Sequence, residues 1–170
     1  MGLSIRKIAN KDIDAILDYW ESGTEAFFKS MGVDKSKIPN RQIIEEKLQK
    51  EVDAEEIRYL IAVKDGTAVG CGLIECGDVA QFHFHLWGET SRNIGDGPYF
   101  AKKMLEKFSD ELSLDEIRCH ISVENKHANY AATKNGGIFI EEKIIPAEGM
   151  FLERSVRVYS WKPAGQKSTD

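Results

Sequence analysis

Cysteine is scarce in this chain of 170 residues, which contains three, Cys71, Cys76 and Cys119. Their number is odd and their spacing matches no zinc-binding pattern, so neither a disulfide framework nor a zinc finger is expected. Free thiols of this kind are typical of a reducing compartment, and we therefore expect a cytoplasmic protein.

Long hydrophobic runs and an excess of basic charge are missing as well. No apolar run approaches the roughly 20 residues that cross a bilayer, and the first residues do not resemble a secretory signal. The net charge of −5 argues against nucleic acid as a partner. We expect neither a membrane nor a nucleic acid among the partners.

The remaining composition is that of an ordinary globular protein, with 42% hydrophobic and 30% charged residues. This length and composition predict one domain, which we place at residues 1–163. Residues 164–170 are polar and are predicted to form a disordered tail.

Hydrophobic periodicity predicts seven strands and four helices. The strands are expected at 3–8, 57–63, 67–75, 81–87, 117–123, 138–145 and 151–161. The helices are expected at 13–20, 42–52, 98–112 and 126–134, with residues 23–39 irregular. Their order predicts an α/β fold of the α+β type, in which a mixed sheet carries helices on both faces.

Local signals support several boundaries of these elements. Asp65-Gly66 between two strands predicts a tight hairpin. Pro98 fits the first turn of a helix, and Asn125 is suited to cap the helix that follows it.

The stretch RNIGDG, Arg92 to Gly97, lies between a predicted strand and a predicted helix. Unpaired N–H groups and the helix dipole at such a position bind anions, and glycine lets the backbone approach a ligand closely. On its own the motif is weak, because it lacks the third glycine of a dinucleotide-binding loop and the Gly-Lys-Ser/Thr of a P-loop. An Asp-Gly pair can also be a simple turn. We expect the Asp96 side chain to point to solvent, and the amides from Asn93 to Gly97 to face the anion.

The context makes the motif more specific. Arg92-x-x-Gly95-x-Gly97 before an amphipathic helix resembles the pyrophosphate-binding signature of the GCN5-related N-acetyltransferase (GNAT) superfamily, and Asn125-x-x-Ala128 resembles its second motif. The order of elements is similar over nearly the whole chain.

The resemblance implies the GNAT fold, with a mostly antiparallel central sheet, acetyl-CoA as the cosubstrate and an amine as the acceptor. It also implies an N-acetyltransferase in which the amine attacks the thioester directly, and a homodimer, since family members often form dimers. Asn125 would contact the pantetheine. The residues implied for the pyrophosphate are Arg92, Asn93, Ile94, Gly95, Asp96 and Gly97.

The second informative stretch is QFHFHLW, residues 81–87. Side chains alternate along a strand, so His83, His85 and Trp87 share one face. The opposite, core-facing side carries three apolar residues, Phe82, Phe84 and Leu86. The resemblance implies that the backbone N–H of Trp87, five positions before Arg92, binds the thioester carbonyl.

The histidines are the candidate catalytic residues. An alkylamine with a pKa of about 10 is protonated at neutral pH, and an imidazole with a pKa of about 6.5 can accept its proton. The arylalkylamine N-acetyltransferases look similar here, with histidines eleven and nine positions before the loop motif. In this chain those positions are Gln81 and His83, so His83 is the expected base and His85 the second candidate.

Other readings of the histidines remain open. One alternative is that both are hydrogen-bonded structural groups. His-x-His could also bind a metal if a third ligand converged, and Glu75, Cys119 or His120 could supply it.

The acid that usually protonates the leaving thiol in the superfamily is missing from its expected position. Most superfamily members carry a tyrosine seven positions after the motif asparagine, where this chain has Ala132, and Tyr130 lies too far round the helix. The acid could come from elsewhere, water could serve, or the protein could be a noncatalytic acyl-CoA-binding sensor. A segment with Trp20, Phe27, Phe28 and Met31 could wall the acceptor site or belong to the core.

Overall fold

The computed structural model describes residues 2–87 and 95–163. Arg92, Asn93, Ile94 and the predicted tail at 164–170 lie outside the described residues. The strands are β1 Leu3–Lys7, β2 Tyr59–Lys64, β3 Thr67–Glu75, β4 Ala80–Leu86, β5 Ile117–Ser122, β6 Ile138–Ile145 and β7 Arg154–Trp161. The helices are α1 Ile13–Ser22, α2 Glu25–Ser30, α3 Arg41–Asp53, α4 Asp96–Leu112 and α5 Lys126–Lys134, with short 3₁₀ turns at Asn10–Asp12 and Lys35–Lys37.

The strands form one sheet in the order β1-β2-β3-β4-β5-β7-β6. Every neighbouring pair is antiparallel except β4 and β5. The predicted class, a mostly antiparallel mixed sheet with helices, is therefore confirmed.

Two apolar cores lie on opposite faces of this sheet. Leu60 and Ala62 pack into the core that includes residues of α4, while Tyr59 and Ile61 pack into the core that includes residues of α1 and α3. Consecutive strand residues point to opposite faces, so the continuous apolar pattern of β2 reflects cover on both sides.

The expectation that residues 23–39 are irregular is wrong in part, because α2 lies within them. Thr24 caps α2 by accepting a hydrogen bond from the backbone N–H of Phe27, and Phe28 is fully buried. A helix of six residues is too short to show a clear helical period in the sequence, and its stability depends on the burial of Phe28.

Two local predictions are confirmed. Asp65 and Gly66 have positive φ angles of 49° and 82° in the hairpin between β2 and β3. Asn125 Oδ1 accepts a hydrogen bond from the backbone N–H of Ala128 at 3.1 Å, so Asn125 caps α5.

Helix α4 begins two residues before Pro98. Its N-cap is Gly95, whose φ of 111° is a backbone conformation that favours glycine. The expectation that the Asp96 side chain points to solvent is wrong. Asp96 Oδ2 lies 2.6 Å from Lys64 Nζ, and this largely buried ion pair ties the start of α4 to the end of β2.

The parallel pair, β4 and β5, opens along its length. β4 and β5 are paired at Ala80–Ile117 and Gln81–Arg118, and not beyond. The remainder of β4, which carries His83 and His85, therefore lies beside an opening in the sheet.

Within the described ranges, no helix has both the length and the apolar character needed to cross a bilayer.

Candidate active site

A cleft of about 930 Å³ extends from the opening between β4 and β5. On one side it is bounded by α5 through Asn125, Ala128 and Ala132. On the other side it reaches the histidines of β4 and the residues of α1 and α3. The cleft thus has lining residues on both faces of the sheet.

The backbone of β4 offers a hydrogen-bond donor at the opening between β4 and β5. Trp87 donates its N–H to Val69 O on β3 at 2.8 Å. The carbonyl of His85 also faces β3, since a Cβ added to Gly70 would lie 2.5 Å from it. In a trans peptide the C=O and the following N–H point in opposite directions, so the N–H of Leu86 points away from β3 and into the opening.

This arrangement corrects the role expected for Trp87. Its N–H is occupied by Val69 and is not available to a thioester carbonyl. The donor aimed at the opening belongs to Leu86, one residue earlier. Counting positions from Arg92 could not establish this, because the direction of each N–H depends on how β4 pairs with β3.

The loop motif meets β4 at the same place. A Cβ added to Gly97 would lie 3.4 Å from Leu86 Cδ1, so the first turn of α4 packs directly beside Leu86. Asn135, at the end of α5, donates to Pro98 O at 2.8 Å and holds the two helices together. The start of α4 and the cleft-facing side of α5 therefore border the same opening.

His83 lies beside Glu75. Its Nε2 is 3.4 Å from Glu75 Oε2, which is an ion-pair distance without the directionality of a hydrogen bond. Nε2 has no hydrogen-bond partner among the described residues, although it is shielded from bulk solvent. The proximity of His83 holds the pKa of Glu75 below its usual value. His83 therefore has a ring nitrogen without a hydrogen-bond partner in the described residues and a carboxylate beside it.

His85 has a different environment. Its Nδ1 is 3.0 Å from Tyr19 Oη, and its ring packs against the rings of Tyr19 and Trp20 with centroid separations of 5.6 and 5.4 Å. Desolvation, reinforced by His83, lowers the pKa of His85 to about 4. His85 is consequently neutral at physiological pH and is a weak base.

His120 on β5 lines the cleft from the side opposite His83. The sequence indicates it only as a possible metal ligand. Burial is the largest cause that lowers its pKa, followed by the electrostatic effects of Lys143, His83, Arg154 and Arg118. Among the residues that the structure describes, no three histidine, cysteine or acidic side chains are grouped to hold a metal. The metal alternative therefore has no ligand set there.

No tyrosine of α5 reaches the cleft. Ala132 lines it, while Tyr130 is 62% exposed beneath the amino group of Lys134, which lies 5.8 Å from the ring centroid. Tyr159 lines the cleft but donates its hydroxyl proton to Asn129 Oδ1 at 3.0 Å in a buried contact.

The aromatic segment for which the sequence left two roles open is divided between the core and the wall of the cleft. Phe28 is a core residue, whereas Trp20 and Met31 line the cleft. Apolar residues of α3, Ile44 and Leu48, extend this wall.

The comparisons with known proteins agree with this geometry. A family model described as Acetyltransferase (GNAT) domain matches residues 3–138 of the chain. The chain belongs to the GNAT acetyltransferase family. A search of curated protein sequences finds no match.

Solved structures with the same fold cover nearly the whole chain. The spermidine N-acetyltransferase of Vibrio cholerae in complex with CoA and spermine has a TM-score of 0.73 and 16% identity, over 92% of this chain and 94% of that one. A GNAT acetyltransferase of Bacillus anthracis has a TM-score of 0.73 and 17% identity, over 95% of each chain. The aminoglycoside acetyltransferase AAC(6′)-Ib in complex with coenzyme A has a TM-score of 0.72 and 14% identity, over 95% of each chain. At these identities the likeness shows the fold.

Proposed function

We propose that the chain is a cytoplasmic N-acyltransferase that transfers the acetyl group of acetyl-CoA to an amine in a ternary complex. The observation that carries the proposal is the opening between β4 and β5, where the His83 ring lines the cleft and the Leu86 N–H points away from β3. Family membership and the neighbours solved with coenzyme A support acetyl-CoA as the cosubstrate.

The coenzyme would enter from the side of α4 and α5. Its pantetheine would lie in the opening, near Trp87 and Asn125, and its pyrophosphate would meet the loop from Arg92 to Gly97. Asn93 and Ile94 would contribute backbone amides together with Gly95, Asp96 and Gly97. Pro98 has no N–H, so the anion depends on the amides that precede it.

The acceptor amine would approach from the face that carries the histidines. His83 would take its proton, directly or through water, and Glu75 would stabilise the resulting imidazolium. The tetrahedral intermediate places negative charge on the former thioester oxygen, where the Leu86 N–H can donate to it. His85 and Tyr19 would hold the wall behind this centre.

Protonation of the leaving group is assigned to water. Tyr130 is turned away from the cleft and the hydroxyl of Tyr159 is committed to Asn129. A thiol with a pKa of about 8.5 is a good leaving group at neutral pH, so a protein acid is not essential to the reaction.

The proposal is tested by measuring acetyl-CoA binding by calorimetry and thiol release with a panel of amines. We expect His83→Gln to lower kcat/KM by about 100-fold or more, in keeping with the loss of a general base, and to leave acetyl-CoA affinity unchanged. His127→Gln, at an exposed histidine of α5, is the matched control and should behave as the wild type. Turnover that survives intact in His83→Gln would rule out this mechanism.

A noncatalytic acyl-CoA sensor is the second candidate, and the alanine at position 132 favours it. Such a protein would bind acetyl-CoA and release no thiol with any amine of the panel. Absence of acetyl-CoA binding would contradict both candidates.

We also propose a homodimer formed through β6, which ends the sheet. Of the seven exposed large hydrophobic residues in the described ranges, four lie on this strand, namely Ile138, Phe139, Ile140 and Ile144. If two copies of β6 pair antiparallel about Glu142, Ile140 lies opposite Ile144 of the second copy and Glu141 lies opposite its Lys143. On either side of the centre this register joins apolar to apolar and acidic to basic side chains, and it covers an exposed edge. At the centre Glu142 lies opposite Glu142 of the second copy, and Arg157 compensates that charge within each copy.

A further inference from the structure

Arg154 is the exception among the arginines that the structure describes. Six arginines are described, and five of them form ion pairs with carboxylates: Arg6, Arg41, Arg58, Arg118 and Arg157. For Arg154, the structure shows no carboxylate partner within the described ranges. Its guanidinium donates to Leu152 O at 3.2 Å, and burial without a counter-charge lowers its pKa.

The guanidinium is nevertheless held firmly in place. It lies over the ring of Phe151, with Cζ 4.8 Å from the centroid. Its stem packs against Gly32, where a Cβ would overlap Arg154 Cδ. Gly32 has a φ of 76° and accepts a hydrogen bond from Leu152 N at 2.8 Å, which ties the two segments together. A cation that is ordered without an acidic partner is suited to bind an anionic ligand.

Arg154 belongs to the acceptor side of the cleft. Alternation along β7 places it on the same face as Val156 and Val158, and Val158 pairs with His120. Arg154 and His120 both line the cleft that contains His83. The start of α4, where the coenzyme phosphates would bind, packs on the other face of the sheet with Leu60 and Phe82.

Arg154 leaves an uncompensated positive charge on this side of the cleft. After burial, Lys143, Arg154 and Arg118 are among the groups that lower the pKa of His120. Lys143 and Arg118 are paired with Glu141 and Glu116, so Arg154 is the cation of this set that no carboxylate of the described residues neutralises. The opposite wall carries Glu75 beside His83. The cleft therefore has one wall suited to an ammonium group and one suited to an anion, although the net charge of the whole chain is −5. The local charges rather than the net charge act on a bound ligand, because exposed charges more than about 8–10 Å away are screened.

We propose that Arg154 binds the carboxylate of the acceptor, so that the acceptor is an amine that also carries a carboxylate, such as an amino acid or a short peptide. The inference rests on the proposed function for the identity of the reacting amine. Its ammonium group would lie beside Glu75 and lose a proton to His83, while the planar guanidinium holds the carboxylate through two parallel hydrogen bonds.

The test compares amino acids with their decarboxylated amines as ligands of the CoA-loaded protein, measured by calorimetry. The pairs are L-phenylalanine with phenethylamine, L-tryptophan with tryptamine and L-lysine with cadaverine. We expect at least one acid to bind roughly tenfold to a hundredfold more tightly than its amine, as loss of hydrogen bonds to a charged group predicts. Arg154→Gln should abolish that preference.

Arg157→Gln is the matched control, because Arg157 lies on the same strand, is exposed and pairs with Glu142. This variant should keep the preference for the acid. Thermal unfolding of Arg154→Gln and Arg154→Lys checks that both fold, and Arg154→Lys should retain part of the preference, since it keeps the charge without the fork.

A wild-type protein that shows no preference for any acid overturns the inference. The inference is also overturned if Arg154→Gln lowers the affinity for CoA as much as the affinity for the acid, because the anion at Arg154 would then be a coenzyme phosphate. A different outcome would contradict the proposed function and leave this inference standing. If the acids bind through Arg154 but no acetyl transfer follows, the carboxylate site stands and the transferase reaction does not.

Discussion

Replacing His85 with asparagine is expected to reduce the loss of stability that the protein undergoes in weak acid. The pKa of His85 is lowered from 6.5 to about 4 by desolvation and by His83. The unfolded chain therefore binds a proton at this position in a pH range in which the folded protein does not. The free energy of unfolding therefore falls as the pH is lowered from about 6.5 towards 4. Above about pH 6.5 the His85 ring causes no such loss.

The size of the effect follows from these two values. For a ring with pKa values of 6.5 unfolded and about 4 folded, linkage predicts a loss of about 2 kcal/mol between pH 7 and pH 5. His85 keeps some contact with solvent along the cleft. Solvent screening there brings the expected loss to about 1–2 kcal/mol. Asparagine does not titrate, and its side chain can still bond to the hydroxyl of Tyr19.

The assay is urea unfolding of the wild type, His85→Asn and the control His127→Asn at pH 7 and pH 5. The wild type and the control should lose about 1–2 kcal/mol more than His85→Asn between the two pH values. Asp12 and Glu75, whose pKa values are lowered, and His120 act in the same direction, but they are present in all three proteins and cancel in the comparison. Equal losses in all three proteins would refute the conclusion that the His85 ring is desolvated in the fold.

Three further outcomes are expected. Tyr130→Phe should leave kcat unchanged, because its hydroxyl does not reach the cleft; a loss of tenfold or more in a turnover assay would restore it as the general acid. Asp96→Asn should lower the free energy of unfolding by about 1–2 kcal/mol through the lost ion pair with Lys64, and should change acetyl-CoA affinity less than tenfold by calorimetry. Ile144→Lys should give a monomer by light scattering at a concentration at which the wild type is a dimer, and an unchanged oligomeric state would exclude β6 as the interface.

Several features of the fold follow from the sequence because they depend on nearby residues. The hairpin at Asp65 and Gly66 needs two positive φ angles, which that pair adopts readily. The cap at Asn125 needs only an amide three residues further along the helix. The strand and helix periods are local for the same reason, and together with the two motifs they led to the correct family. Helix α2 was missed because six residues give too short a pattern.

The chemistry of the cleft depends on residues that are distant in the sequence, and only the tertiary structure decided it. The sequence places His83 and His85 on one face, but the packing of Tyr19 and Trp20 makes His85 a weak base, while His83 lies beside Glu75. The direction of each amide on β4 depends on how β4 pairs with β3. Because of this pairing, the N–H that points to the opening is that of Leu86 and not that of Trp87. Asp96 turns inward because Lys64 ends the second strand beside it. The sequence does not distinguish Arg154 from the other arginines, because the lack of a carboxylate partner becomes visible only in the tertiary structure.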